Sequence, residues 1–159
     1  KRNKKVSIDI NVDPGITSII LIFIAGHLCG ALGFYLNHRF ILHGKIGDMR
    51  FFRKLKRLHT LHHAHPYDDK RNDHIAIPLW GKLLMAKLVL VLSIFSVSFA
   101  LGGLSFFLYY GYRHHSIHNK DKSSYFSRHH RYHHVRDPRV NHSGVYPFVD
   151  IIFGTYYLS

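Results

Sequence analysis

The chain has 159 residues, enough for one domain, and sets 22 Lys and Arg against nine Asp and no Glu. Its formal charge of +13 fits either nucleic acid or an anionic membrane surface as partner. Distribution argues against nucleic acid: the basic residues are confined to Lys1–Lys5, Arg39–Arg71 and Arg113–Arg139, apart from Lys82 and Lys87 in a long apolar stretch. Basic blocks between apolar runs follow the positive-inside pattern of a membrane protein.

Residues 1–15 are polar and end in Asp13-Pro14-Gly15, a turn signal ahead of a helix. The first residue is Lys1 rather than Met, which leaves room for a segment upstream. Residues 16–36 are apolar except for Thr17, Ser18 and His27. At about 1.5 Å per residue they can cross a bilayer core of roughly 30 Å. A signal peptide is the competing reading, but the run is too long and leads into histidines rather than a small-residue cleavage site. Cys29 stands alone, so no intramolecular disulfide can form and a reducing, cytosol-facing site is allowed.

Residues 37–74 are basic and rich in histidine. Phe51, Phe52, Leu55 and Leu58 recur at helical spacing among Arg50, Arg53, Lys54, Lys56 and Arg57, which predicts an amphipathic helix at the membrane surface. The second apolar region runs from Ile75 to Tyr112. As one straight helix it would be about 57 Å long, nearly twice the bilayer core. If the histidines before and after it share one site, the chain must return to the side it left. The expectation is therefore a hairpin of helices at about 77–92 and 97–112, turning near Ser93–Ser98. Gly102-Gly103 would allow close helix packing, and Lys82 and Lys87 would snorkel toward the basic side. Residues 113–159 return to basic, His-rich composition, with a loop at Asp137-Pro138 and an apolar tail at 145–158 that is too short to span. The fold class expected is an all-α integral membrane domain over the whole chain, its spans (16–36, 77–92, 97–112) capped by a cytosolic His-rich layer (37–74 and 113–159).

Sixteen histidines carry the chemistry. His38 and His43; His59, His62 and His63; His114 and His118; and His130, His133 and His134 form four clusters. Chance at this histidine frequency predicts roughly 0.16 His-x-x-His-His patterns, and two are present. Positions i, i+3 and i+4 neighbour one another on a helix, so each pattern can offer three imidazoles to one centre. Ten imidazoles suit two ions of five or six coordination with open positions. Iron is the expected metal, and zinc is compatible with the same ligands. Because His38 and His43 are five apart, one of them is expected past the end of a fraying helix. No catalytic group beyond the ligands is assigned.

The remaining histidines have lesser roles. His27 reads as a packed or hydrogen-bonded core residue, and His65, His74, His115, His129 and His142 as either surface or ligand-orienting. Asp68, Asp69, Asp73, Asp137 and Asp150 are candidates to orient ligands, alongside backbone carbonyls. Tyr109, Tyr110 and Tyr112 read as an interfacial aromatic belt.

The ordered set resembles the fatty acid hydroxylase/sterol desaturase superfamily of integral membrane di-metal oxygenases. The resemblance runs from His38 to Thr155. It takes in the four clusters, the hairpin, Gly144 and the closing Asp150-Ile-Ile-Phe-Gly154-Thr155. His63-Ala-His-Pro66-Tyr-Asp68 with Arg71 and Pro78 is most similar to the fatty acid/ceramide 2-hydroxylase branch. This implies two metal ions, a lipid acyl substrate, and electrons from cytochrome b5 or a ferredoxin-like donor. It also implies a site on the cytosolic face of the endoplasmic reticulum or a bacterial inner membrane. Carotenoid and sterol enzymes of the same fold are the alternative substrate classes, His43-Gly44 being similar to the carotenoid hydroxylases. A membrane metal-binding or transport protein is the alternative of another class, disfavoured because the apolar runs hold only His27 and two lysines.

Overall fold

Asp13 starts the first helix in the computed structural model, which describes residues 13–66, 79–121 and 123–157. Its Oδ1 accepts from Gly15 N at 2.6 Å, and Pro14 takes the first helical position, where a missing N–H costs nothing. Helix α1 (Pro14–Leu36) is apolar all round, and Ile16, Ile19, Leu21, Leu28 and Leu32 are exposed. An exposed, uniformly apolar helix suits a lipid solvent rather than water. Through Leu42 it is the one helix among the described residues that is both long and apolar enough to cross a membrane.

The hairpin follows. Helix α3 (Leu79–Phe95) ends one residue before Ser96, which is extended and caps helix α4 (Val97–Asn119) by accepting from Phe99 N at 3.2 Å. This polar cap makes the turn that neither Gly nor Pro marks. Helix α4 carries on past Tyr112 as one helix, bringing His114 and His118 with it. The start predicted at residue 77 lies outside the described residues.

Helices α1 and α4 run parallel, side by side. Ser98 Oγ donates to Ile19 O at 2.7 Å near one end, and Phe106 lies against Gly30 further along. Contact is backbone to backbone: a Cβ on Gly26 would sit 2.1 Å from Phe99 O, and one on Gly102 would sit 2.0 Å from Phe23 O. Glycine at both positions is what permits this approach.

Beyond α1 come a short 3-10 turn (Lys45–Asp48) and helix α2 (Arg53–Ala64). Leu55 and Leu58 of the predicted amphipathic helix are half-buried, while Phe51 precedes the helix and is exposed. Lys56 Nζ ties α2 down, donating to Gly44 O at 3.0 Å and Asp48 Oδ1 at 2.7 Å. Helices α5 (Tyr125–Val135) and α6 (Pro147–Ile152) complete the described elements, which include no strand. The apolar core joins Ala31, Phe106, Ile117 and Val145, flanked by Phe34, Tyr109, Tyr110 and Tyr146. It lies directly beneath the histidines.

The loop between α5 and α6 is pinned by two polar residues. Asn141 adopts a left-handed φ of 58°, and its Nδ2 donates to His129 O at 3.1 Å. Asp150, fully buried, accepts from His129 Nε2 (3.1 Å), Ser143 N (3.0 Å) and Thr155 Oγ1 (2.8 Å). Burial pushes this carboxyl's pKa up, but those hydrogen bonds outweigh it and hold it below the usual range.

Candidate metal centre

The first two histidines reach the site through a change of helix type. Instead of fraying, α1 widens into π-helical Asn37–Leu42, closed by His43 N donating to His38 O at 3.0 Å. Hydrogen bonds from i+5 to i bring residues five apart together, and the two Nε2 atoms lie 3.2 Å apart. A regular helix would have turned them about 140° away from each other.

All ten expected histidines gather in two groups of five. His38, His43, His59, His63 and His133 form one; His62, His114, His118, His130 and His134 form the other. Within each group the nearest ligand atoms lie within 4.8 Å of one another. The groups abut, with the rings of His63 and His134 stacked at 4.1 Å between centroids.

The His-x-x-His-His patterns do not serve one centre each, as their spacing had implied. His59 and His63 enter the first group while His62 enters the second; His130 and His134 enter the second while His133 enters the first. On a helix, i and i+4 diverge by only about 40°, whereas i+3 and i+4 diverge by about 100°. Each helix therefore straddles both groups.

Three rings have a fixed tautomer. Nδ1 of His38 donates to His142 O, Nδ1 of His118 to Pro66 O at 2.6 Å, and Nδ1 of His133 to Val140 O at 2.7 Å. A carbonyl oxygen only accepts, so these Nδ1 atoms carry the proton and each neutral ring turns a bare Nε2 inward. The Nε2 atoms of His63 and His133 are buried and have no hydrogen-bond partner. Such buried lone pairs are costly unless a cation or donor meets them.

The spacing is that of ligands around an ion. In the first group Nε2–Nε2 distances are 2.9 Å (His43–His59), 3.0 Å (His38–His59) and 3.2 Å (His38–His43). In the second they are 3.0 Å (His118–His130), 3.0 Å (His130–His134) and 3.2 Å (His114–His118). With metal–nitrogen bonds of about 2.1 Å, ligands at right angles lie about 3.0 Å apart and tetrahedral ones about 3.4 Å. These distances fit octahedral-type coordination, in which five nitrogens would leave one of six positions open.

Electrostatics keeps the rings in the ligand form. Burial, then neighbouring like charges, lowers His43 to about 3 and His63 to about 4. Burial lowers His118 to about 4 against the opposing pull of Pro66 O. His130, His133 and His134 also lie well below the usual histidine value, first by burial and then by mutual repulsion. A neutral imidazole needs to lose no proton before it binds a metal.

The other expected residues fall into place around this. His27 is hydrogen-bonded within the helices, to Ser105 Oγ and Tyr146 OH, both at 2.7 Å. His65 and His115 are exposed, whereas His129 and His142 are buried behind the ligands. None of the described aspartates orients a ligand. Asp137 pairs with Arg139 at 2.9 Å and Asp150 staples the α5–α6 loop, while backbone carbonyls orient His38, His118 and His133. His74, Asp68, Asp69 and Asp73 lie outside the described residues. Of the expected aromatic belt only Tyr112 is exposed. Tyr109 stacks on Tyr146 at 5.5 Å, and Tyr110 stacks on His114 at 5.1 Å while packing on Phe34 at 4.1 Å.

The sequence profile of the fatty acid hydroxylases matches residues 23–155, taking in all ten clustered histidines. The chain belongs to the fatty acid hydroxylase family. No curated protein and no solved structure matches it significantly. Membership in the family makes this a membrane protein of a metal-dependent hydroxylase and desaturase superfamily, a class of oxidoreductases.

Proposed function

We propose that the chain is a di-iron monooxygenase that hydroxylates the acyl chain of a membrane lipid, a fatty acid or ceramide. The supporting observation is the pair of abutting five-imidazole groups, spaced for octahedral ions and set at the end of apolar helices. The reaction class is R–H + O2 + 2 e⁻ + 2 H⁺ → R–OH + H2O. Two irons with open positions would supply the oxidising chemistry that an unactivated C–H bond requires.

The chain's own residues supply the rest. The ten histidines would hold the ions, oriented in three cases by backbone carbonyls. Among the described residues, no carboxylate lies within hydrogen-bond reach of the ten histidines. Phe34, Phe106 and Tyr110 form an apolar floor that keeps bulk water from the lipid side. In this reading α1 and the α3–α4 hairpin cross the bilayer, leaving the His-rich layer on the cytosolic face. Its basic surface would receive an acidic electron donor of the cytochrome b5 or ferredoxin type. The membrane would be the endoplasmic reticulum in a eukaryote and the inner membrane in a bacterium.

Lipid profiling of a host expressing the wild-type chain or His133→Ala tests this. One added oxygen on acyl chains, present with wild type and absent with the variant, is the expected result. The same gain on carotenoids or sterols would move the substrate to those classes. Unchanged lipids with a fully metallated wild-type protein and a competent donor would sink the oxygenase reading.

A further inference from the structure

The apolar tail from Gly144 to Phe153 is too short to cross a membrane, yet its contacts place it deep beside the spanning helix. Tyr146 OH donates to His27 Nε2 at 2.7 Å, and its ring lies 5.8 Å from Phe106 and 5.5 Å from Tyr109. His27 precedes His38 by eleven positions, about 16 Å along the helix axis. From Pro147 the chain climbs back through α6, until Phe153 stacks on Tyr35 at 4.7 Å and Thr155 Oγ1 meets Tyr35 OH at 2.9 Å. Asn141 N then donates to Thr155 O at 2.8 Å, so descent and return are joined at the histidine layer.

We propose that residues 144–153 form a re-entrant elbow inserted among the acyl chains of the bilayer leaflet that adjoins the metal centre. The proposal rests on the reading of α1 as a membrane span. The elbow's outer face is apolar and uncovered: Phe148 is 43% exposed, Ile151 60% and Ile152 71%. Leu28 and Leu32 of α1, which follow His27 and Ala31 in the chain, are exposed and apolar as well. A chain with 22 Lys and Arg places none between Ser143 and Tyr157, and the one charged residue there, Asp150, is fully buried. Irregular backbone survives at membrane depth only when its polar groups are satisfied internally. Four N–H groups in and just after the elbow are satisfied internally: Val145 N donates to Ser143 O, Val149 N to Tyr146 O, Phe153 N to Val149 O and Gly154 N to Ile151 O. Pro147 has no N–H to satisfy. Gly144, at φ 71°, makes the bend where a Cβ would press on the Tyr110 ring at 3.1 Å.

Single cysteines in a Cys29→Ser background test the elbow in permeabilised native membranes. Phe148→Cys, Ile151→Cys and Ile152→Cys are compared with Leu28→Cys as the span control and Arg128→Cys as the exposed control. An apolar surrounding raises a thiol's pKa, and one unit is tenfold in thiolate, so the elbow cysteines should react with a membrane-impermeant maleimide roughly tenfold or more slowly than Arg128→Cys. A bimane label on them should be quenched by nitroxides carried on lipid acyl chains. Reaction at the Arg128→Cys rate, with Leu28→Cys protected, overturns the elbow and leaves the spanning reading intact. Fast reaction at Leu28→Cys as well removes the span and the elbow together. Protection without lipid quenching means that protein covers the face, which also overturns the proposal.

Discussion

His62 and His63 are neighbours in the chain, yet their rings enter different groups of five. The 100° between successive helical residues divides them, and the same division separates His133 from His134. Each centre is therefore built from both His-x-x-His-His patterns, and neither pattern can be lost without weakening both.

This cross-over predicts metal stoichiometry. His62→Ala should empty the second centre and His133→Ala the first, although each lies in the pattern that supplies two ligands to the other. Losing a partner that merely orients a ligand costs about 10–100-fold in affinity, and losing a ligand should cost at least that. Metal analysis after dialysis against a weak chelator should fall from two ions per chain to about one in each variant. A double variant of His59 and His63 should spare the second centre's ion. Loss of both ions from His62→Ala would contradict the division.

The ten histidines were legible in the sequence because spacing reports which helical residues are neighbours. Their allocation was not, because it depends on how α2 and α5 are set against each other. The hairpin was legible from length together with a shared site, as 38 mostly apolar residues are too long for one span and flanking histidines at one centre require a return to the same side. What spacing could not show were the π segment that joins His38 to His43 and the carbonyls of Pro66, Val140 and His142. Backbone acceptors leave no residue-type signature. Tyr110 and Tyr109 read as a belt because aromatic composition does not distinguish a lipid-facing ring from one packed beneath a metal site.

Helix contact predicts a sharp contrast between adjacent glycines. Gly102→Ala would set its Cβ 2.0 Å from Phe23 O, a backbone atom that cannot move without shifting α1. Gly103→Ala meets nothing closer than Gly26 O at 3.7 Å, ordinary contact distance. Gly102→Ala should destabilise by about 1–3 kcal/mol or more, and Gly103→Ala should be nearly neutral. Thermal unfolding in detergent measures both, and equal melting temperatures would contradict the backbone-to-backbone packing.

The depressed histidine pKa values predict acid sensitivity of the metal-free protein. His43 at about 3, and His63 and His118 at about 4, stay neutral in the fold but take up protons near 6.5 once unfolded. Below pH 6.5 the unfolded chain binds more protons, so stability falls as pH drops. Each such group contributes a slope of about 1.4 kcal/mol per pH unit until its folded value is reached. Stability should be nearly flat with respect to these groups above pH 7 and decline between pH 6.5 and 4. Chelator-treated protein melted across that range should show the decline, and saturating metal should shift it to lower pH.

The polar chain inside the helices has a direction that can be tested by deleting it one link at a time. Ser105 Oγ donates its only hydrogen to Gly102 O at 2.6 Å, so it must accept from His27 Nδ1–H. Nε2 then accepts from Tyr146 OH. Tyr146→Phe removes the donor and strands a half-buried ring nitrogen, at a cost of about 1–3 kcal/mol. His27→Phe strands the Tyr146 and Ser105 hydroxyls instead, though Ser105 keeps its bond to Gly102. The double variant leaves an apolar pair in the same space and should be less destabilised than the sum of the singles by about 0.5–2 kcal/mol. Strict additivity in that cycle would mean the 2.7 Å contact contributes nothing to holding the tail.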